Sequence, residues 1–270
     1  MAVERNALAT IWEIPDPLWH QIEPLLLDDA PQMATGRPRS NLRNVFDGVI
    51  FRMRSGCQWA KIPKVFGAKS TLHRWFQQWC ERGVMERIWE RLVERADELG
   101  LVQWRWQSAD GAMSKARFPG DLIGPNPTDR GKPGTKRSLI VEANGGPLGV
   151  VIAGANVHDS KLLEATINAI VGERPDPDEV EQNLCLDKGY DSHAARSMTE
   201  REGYVPHVRR IGEEKRGCRR GKPRRWVVER TISWLAKCRA ILVRYDKKGV
   251  NYLGLIQLAC ALLWYRRIVD

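Results

Sequence analysis

The chain has 270 residues, 43% of them hydrophobic and 28% charged, with a net charge of +10. That length suits one large domain or two smaller ones with real cores, and the composition excludes a disordered or fibrous chain. The six cysteines are scattered with no C-x-x-C pair, which argues against a zinc site or a disulfide framework. The start MAVERNALAT lacks the apolar segment of a secretory leader, so a reduced, cytoplasmic protein is expected.

The first third reads as helical. LWHQIEPLLL, NLRNVFDGVIFRMRSG, STLHRWFQQWCERG and VMERIWERLVERADELG all carry apolar residues at three- and four-residue spacing. Between them, WAKIPKVFGAKSTLHRWFQQW predicts a short helix over Lys61 to Phe66, a turn at Gly67 and a second helix capped by Ser70. The second helix would bury Leu72, Trp75, Phe76 and Trp79 and present Lys69, His73, Arg74 and Gln77. That is the layout of a helix-turn-helix, although an ordinary helical hairpin has the same pattern. Arg37 to Arg74 holds nine Lys/Arg against Asp47 alone, which favours DNA contact here, with Arg37 and Arg39 in the basic block.

After Gly100 strands and helices interleave, predicting an α/β domain over residues 101–270 behind a helical domain over 1–100. WRWQSADGAM alternates and ends on Asp110 and Gly111; SLIVEAN and LGVVIAG are strands joined at GGP. HDSKLLEATINAIVG is a helix with Asp159 as its cap, NLCLD a buried strand ending at Asp187, and YVPHVRR a further strand. Residues 117–137, rich in Pro and Gly, read as a long loop. His207 to Lys248 is a second basic block, fifteen Lys/Arg against four acids, and RRWVVERTISWLAKCRAILVRYDKK within it is largely helical. The last apolar run, LGLIQLACALLWY, falls short of the roughly 18 residues of a membrane span. Of the eleven tryptophans, Trp104 and Trp226 are the candidates for stacking on bases.

Two basic blocks flanking a balanced middle suggest a polyanion touched in two places, with double-stranded DNA as the partner and no membrane. Within this frame Asp110 and Asp187 stand at predicted strand ends, and Glu229 lies on a helix at the margin of the stripe formed by Val228, Ile232, Leu235 and Leu242. Three acids form an all-oxygen site suited to Mg²⁺ or Mn²⁺, and such a site can hold two ions for in-line attack on phosphorus. Each acid has a plainer reading: a turn at Asp110-Gly111, a helix-entry cap at Asp187, a partner for Arg225 at Glu229. Asp191 is a rival second ligand.

The stretches LWHQIEPLLL, GVIFRMRSGCQWAKIP, FGAKSTLHRWFQQW, DGAM, NGGPLGVVIAGANVHDS, LDKGYDS, RRWVVERTISWL and LVRYDK together resemble bacterial insertion-sequence transposases of the DDE type, in the family numbered five. The resemblance runs from about Ile14 to Arg267. It implies a ribonuclease-H-like mixed sheet flanked by helices, an all-helical domain that recognises element ends, and a metal-binding triad of Asp110, Asp187 and Glu229. Arg225 matches the arginine such enzymes place near the glutamate. Arg224, Arg230, Lys136 and Arg137 join the expected DNA-binding set, and Asn156 and His158 match the family near the site. The lysine expected seven residues after the glutamate is Ala236 here, with Lys237 beside it. The implied reaction is cleavage at element ends and joining of 3′-hydroxyls to target DNA, by a dimer or larger assembly acting in the bacterial nucleoid.

Overall fold

The computed structural model describes residues 11–28, 39–208 and 225–270. Arg37, Arg224 and Cys218 lie outside the described residues. Four helices open the chain: α1 (Asp16–Asp28), α2 (Leu42–Ser55), α3 (Lys69–Glu81) and α4 (Val84–Glu98). Asn41 caps α2 by accepting from the Asn44 N–H, and Gly56 closes it in the left-handed region. Ahead of α3 the predicted short helix is two 3-10 turns, Trp59–Lys61 and Lys64–Phe66, followed by Gly67 at φ 119°. Ser70 does not cap α3: the helix begins at Lys69, after Ala68, and has no side-chain cap.

The sheet begins with β1 (Trp106–Ala116), the two-residue β2 (Gly124–Pro125), β3 (Pro133–Glu142) and β4 (Pro147–Gly154). The Pro/Gly-rich segment therefore contains β2 and the start of β3, and its unstructured part is shorter than expected. Helix α5 (Asp159–Asn168), β5 (Gln182–Leu186), a 3-10 turn at Lys188–Tyr190, α6 (His193–Arg201) and β6 (Tyr204–Val208) follow, and then α7 (Trp226–Ala236), α8 (Arg239–Leu242), β7 (Val243–Arg244) and α9 (Gly249–Val269). Strands pair β2-β3-β1-β5-β6, with β4 on β3 and β7 on β1. The β1–β3–β4 pairings are antiparallel, whereas β1–β5–β6 are parallel. A long central strand with an antiparallel meander on one side and parallel strands on the other is the ribonuclease-H-like fold. The helix read across residues 225–242 breaks at Lys237, so Leu242 belongs to α8 and is exposed rather than in the α7 stripe.

The change from helices to strands near Gly100 is not a break in the core. One cluster of buried residues runs from Ile14 to Tyr265. Helix α9 packs on α4 as well as on β4, and Trp89 of α4 and Trp264 of α9 both donate to the Pro147 carbonyl, at 3.2 and 2.6 Å. At 21 residues α9 meets the length and composition of a membrane span, which the sequence run understated, yet most of it is buried in this core. None of the five described cysteines is in a disulfide.

A buried ion pair ties the helical part to the C-terminal segment. Arg52 of α2 reaches both carboxylate oxygens of Asp246 at 3.0 and 2.9 Å, with side chains 6% and 4% exposed. Removing one partner leaves the other charged and dry, so Asp246→Ala should cost about 3–5 kcal/mol. Denaturant unfolding of the two proteins checks this; an unchanged midpoint would contradict it.

Candidate active site at the open edge of the central strand

Asp110 is not at a strand end. It lies inside β1, opposite Leu139 of β3. What ends there is the pairing on the other edge: β1 and β5 pair only from Trp106↔Asn183 to Ser108↔Cys185. Along that edge β1 pairs again only with β7, at Lys115 and Ala116. Asp110 therefore sits in a notch, with Asp187 just past the end of β5. Alternation along β1 puts Asp110 on the same face as Ser114, whose hydroxyl donates to Ile241 O of α8 at 3.0 Å. That is the α7–α9 face of the sheet, where Glu229 is carried on the first turn of α7.

Arg225, at the N-cap of α7, draws these acids together. Its guanidinium is ion-paired to Asp187 and, at 2.7 Å, to Glu229. The Asp110 carboxylate accepts from its neighbour, the Gly111 N–H, at 2.8 Å. Burial pushes the Asp110 pKa above the ordinary value; the Gly111 N–H and Arg225 oppose that, and the charges of Asp187 and Glu229 add to it. Burial works against the charge on Arg225, yet Asp187, Glu229 and Asp110 hold its pKa above the usual arginine value. Asp187 and Glu229 remain about half exposed. Asp187 also accepts from the Lys188 N–H at 2.6 Å, so its capping role and its place in the cluster coexist.

Behind this notch lies a feature the sequence reading missed. On the opposite face of the sheet, Lys136 of β3 pairs with Asp159 at 2.9 Å, and a Cβ at Gly111 would come within 2.0 Å of that carboxylate. Only glycine fits beside Asp110. The signal is the Gly in DGAM, where the sequence predicts a strand end, or in the plainer reading a turn. Tyr190, buried after β5, faces Asp159, Asp110 and Asp187, and its pKa is raised by burial and by these charges.

Several expected contacts take other roles. Lys136 and Arg137 are buried, because β3 is flanked by strands on both edges and covered on both faces; neither is a surface DNA contact. Arg230 is stacked between Trp226 and Trp234 at 4.5 and 4.7 Å and donates to Asn144 O. His158, not Asp159, caps α5, accepting from Ser160 N. Asp191 is held by Arg196 at 2.7 Å, and Ser192 caps α6. Asn156 packs its amide oxygen against Gly124 and Gly154. Trp104 is buried and donates to Asp97, so it cannot stack on a base, whereas Trp226 is 41% exposed. Lys237 is exposed at the end of α7. In the helical part, Lys69 and Arg74 are exposed, and Gln77 is half-buried. His73 lies against Trp59 at 4.8 Å, with its pKa lowered chiefly by burial. Arg39 and Arg74 line a groove of about 620 Å³ with Ser40, Ala68, Ser70, Thr71 and Trp75 at the start of α3.

Sheet order and three acids gathered at its open edge define a ribonuclease-H-like chain with an acidic site. A family model described as a transposase DDE domain matches residues 104–264, and one described for IS4/5-family transposases matches residues 14–89. A Burkholderia cepacia protein named as a transposase of insertion sequence element IS402 is 36% identical over 159 residues, 58% of this chain and 74% of that one. A second protein from IS402, of 16.2 kDa, is 27% identical over 118 residues, 42% of this chain and 80% of its own length. The chain belongs to the DDE-domain transposase family. Among solved structures, a pre-cleavage Mos1 transpososome is matched at TM-score 0.28 and 11% identity over 88% of this chain and 81% of that one. A piggyBac synaptic complex is matched at 0.40 and 9% over 96% and 74%. Scores this low add nothing to the fold assignment, which rests on the sheet.

The raised pKa of Asp110 has a sign that can be measured. Ionising it costs the folded state, so that cost is absent below 3.8, the ordinary value, and appears as pH rises through the folded pKa. In the presence of a chelator, Asp110→Asn should therefore be more stable than the parent at neutral pH, with the gain vanishing near pH 3. Melting curves across that range decide it; a gain that persists at pH 3 would show that the charge is not its source.

Proposed function

We propose that the chain is a DNA transposase that cleaves phosphodiester bonds at the ends of its element and joins the freed 3′-hydroxyls to target DNA. The carrying observation is the bridge of Arg225 between Asp187 and Glu229, within the field of Asp110. Family membership supports transposition as the biological role. Among the described residues, no three of His, Cys, Asp and Glu stand close enough to grip a metal ion as they are. The donor set nevertheless fits a hard cation: three carboxylates, no sulfur or imidazole, and an Asp110 whose ionisation is disfavoured partly by its acidic neighbours. Asp110, Asp187 and Glu229 are the residues that would hold Mg²⁺ or Mn²⁺, two ions being expected. Bound there, such ions activate an attacking water or 3′-hydroxyl and stabilise the departing oxygen.

The chain's own groups have distinct tasks. Gly111 N–H orients the Asp110 carboxylate. Arg225, at the helix start and permanently charged, is placed to exchange its carboxylates for a phosphate oxygen and hold the DNA backbone at the notch. The groove at the start of α3, with Arg39 and Arg74, suits a second backbone contact for end recognition. A dimer or larger assembly on double-stranded DNA follows from the need to pair two ends, and action in the bacterial cytoplasm follows from the substrate.

Asp187→Asn tests the reading. End binding should survive, while cleavage of a labelled element end and joining of pre-cut ends should both fall by several orders of magnitude. Cleavage retained by the pure variant would remove the triad assignment; cleavage by the parent without joining would leave a nuclease. In a thermal melt, Mg²⁺ at one hundred times its Kd should stabilise the parent by about 2.7 kcal/mol. Asp110→Asn should gain nothing from the same ion.

A further inference from the structure

Past the notch, β1 runs on to a surface that neither the acidic site nor the helical part uses. Phe118, Leu122 and Tyr245 are 49%, 50% and 44% exposed there. Phe118 and Tyr245 meet edge to face at 6.1 Å, and the Lys247 ammonium lies 6.0 Å from the Phe118 ring. Exposed apolar side chains are ordinary singly, but two rings packed on each other on a fixed frame are not. The frame here is unusually well built. Arg244, 1% exposed, donates to the carbonyls of Asp121, Leu122, Asp246 and Lys247 and to the Thr135 hydroxyl. One buried guanidinium thus clamps the loop after β1 to the loop after β7. Further bonds join the same two loops, from Arg117 N to Arg244 O at 2.9 Å and from Asp121 N to Lys247 O at 3.0 Å. Gly120 allows this approach, since a Cβ there would stand 2.1 Å from Lys247 O. Leu122 is held at φ 55°, a strained value for leucine.

A strained backbone and a buried charge, both committed to displaying two aromatic rings, point to a ligand for the rings. Its chemistry is set by the surroundings: Lys247 lies against Phe118, and Arg117, next to Phe118 in sequence, is exposed as well, whereas Lys115 is paired with Asp129 at 3.2 Å. Aromatic faces interleaved with cations suit a polyanion with flat unstacked groups, namely DNA with exposed base faces. Six residues of strand separate Ala116 from Asp110, roughly 20 Å, or about six nucleotides of stacked DNA. We infer that the Phe118–Tyr245 ledge holds unpaired bases of the DNA whose phosphate lies at the acidic notch, with Arg117 and Lys247 on its backbone. This rests on the DNA-transposase reading and adds a base-stacking surface to it.

Anisotropy titrations of the full chain with three labelled probes carrying one sequence test it: a single strand, a blunt duplex and a covalently closed circular duplex. The Phe118→Ala/Tyr245→Ala variant should bind the single strand and the blunt duplex about tenfold or more weakly, and the closed duplex almost as the parent does. Phe118→Leu/Tyr245→Leu, which keeps the apolar cover, should show the same selective loss, and Lys247→Glu should weaken all three. Parent-like binding of every probe by both double variants would overturn the inference, as would an equal loss on all three. So would a loss of self-association in sedimentation velocity with DNA binding intact, because the ledge would then join two copies of the chain. A parent that binds none of the probes would remove the DNA-transposase reading itself.

Discussion

Three carboxylates converging on the open edge of a strand repel one another, and the site depends on how that repulsion is met. Arg225 meets it with one guanidinium shared between Asp187 and Glu229 and felt by Asp110. The pair bonds are at the surface and worth little as stability. Their consequence is positional: a permanent cation at the start of α7 fixes where the acids point and can yield to a stronger counter-charge. The notch exists because β5 stops pairing with β1 at Ser108↔Cys185 while β1 continues for eight further residues. Were β5 to continue alongside β1, its backbone would lie against Asp110 and close the notch.

Around the notch, buried charges fasten the elements that carry it. Arg52–Asp246 joins α2 to the segment ahead of α9, Arg244 knits two loops, and Lys136–Asp159 holds α5 against β3 beneath Gly111. Each is costly to dehydrate and depends on its partner staying in place, the more so as Arg52 Nε and Nη1 and Asp159 Oδ1 are buried without a hydrogen bond. The acidic site thus rests on connections that are all-or-none, which suits a centre where small displacements of Asp110 matter.

Much of this was legible in the sequence, for identifiable reasons. Helical periodicity in α1 to α4, the GGP hairpin between β3 and β4 and the order of the three acids are local signals. The misplacements share another cause. Asp110-Gly111 looks like a turn because glycine usually ends a strand; here Gly111 makes room for Asp159, a contact 48 residues away that no local pattern encodes. Capping differs at α5 by one residue, where His158 rather than Asp159 takes the free N–H, and at α3, where the N-cap position is Ala68 and no side chain caps the helix.

The basic residues give the sharper lesson. Lys136 and Arg137 sit in KRSLIVE, where charges next to an apolar run read as the rim of a strand facing solvent. The chain pairs β3 on both edges and covers it on both faces, so both charges are inside, Lys136 against Asp159 and Arg137 near Tyr252 and Cys260. Tyr245 shows the converse, a ring left outside although both of its sequence neighbours, Arg244 and Asp246, are buried. In a sheet the pairing partners decide which face of a strand meets water, and those partners here come from distant parts of the chain. Net charge counted along the sequence therefore marks two basic blocks, while topology fixes which individual cations reach the surface: Arg225 beside the break in pairing, Arg39 and Arg74 at the start of α3, and Lys247 just after β7 rejoins β1.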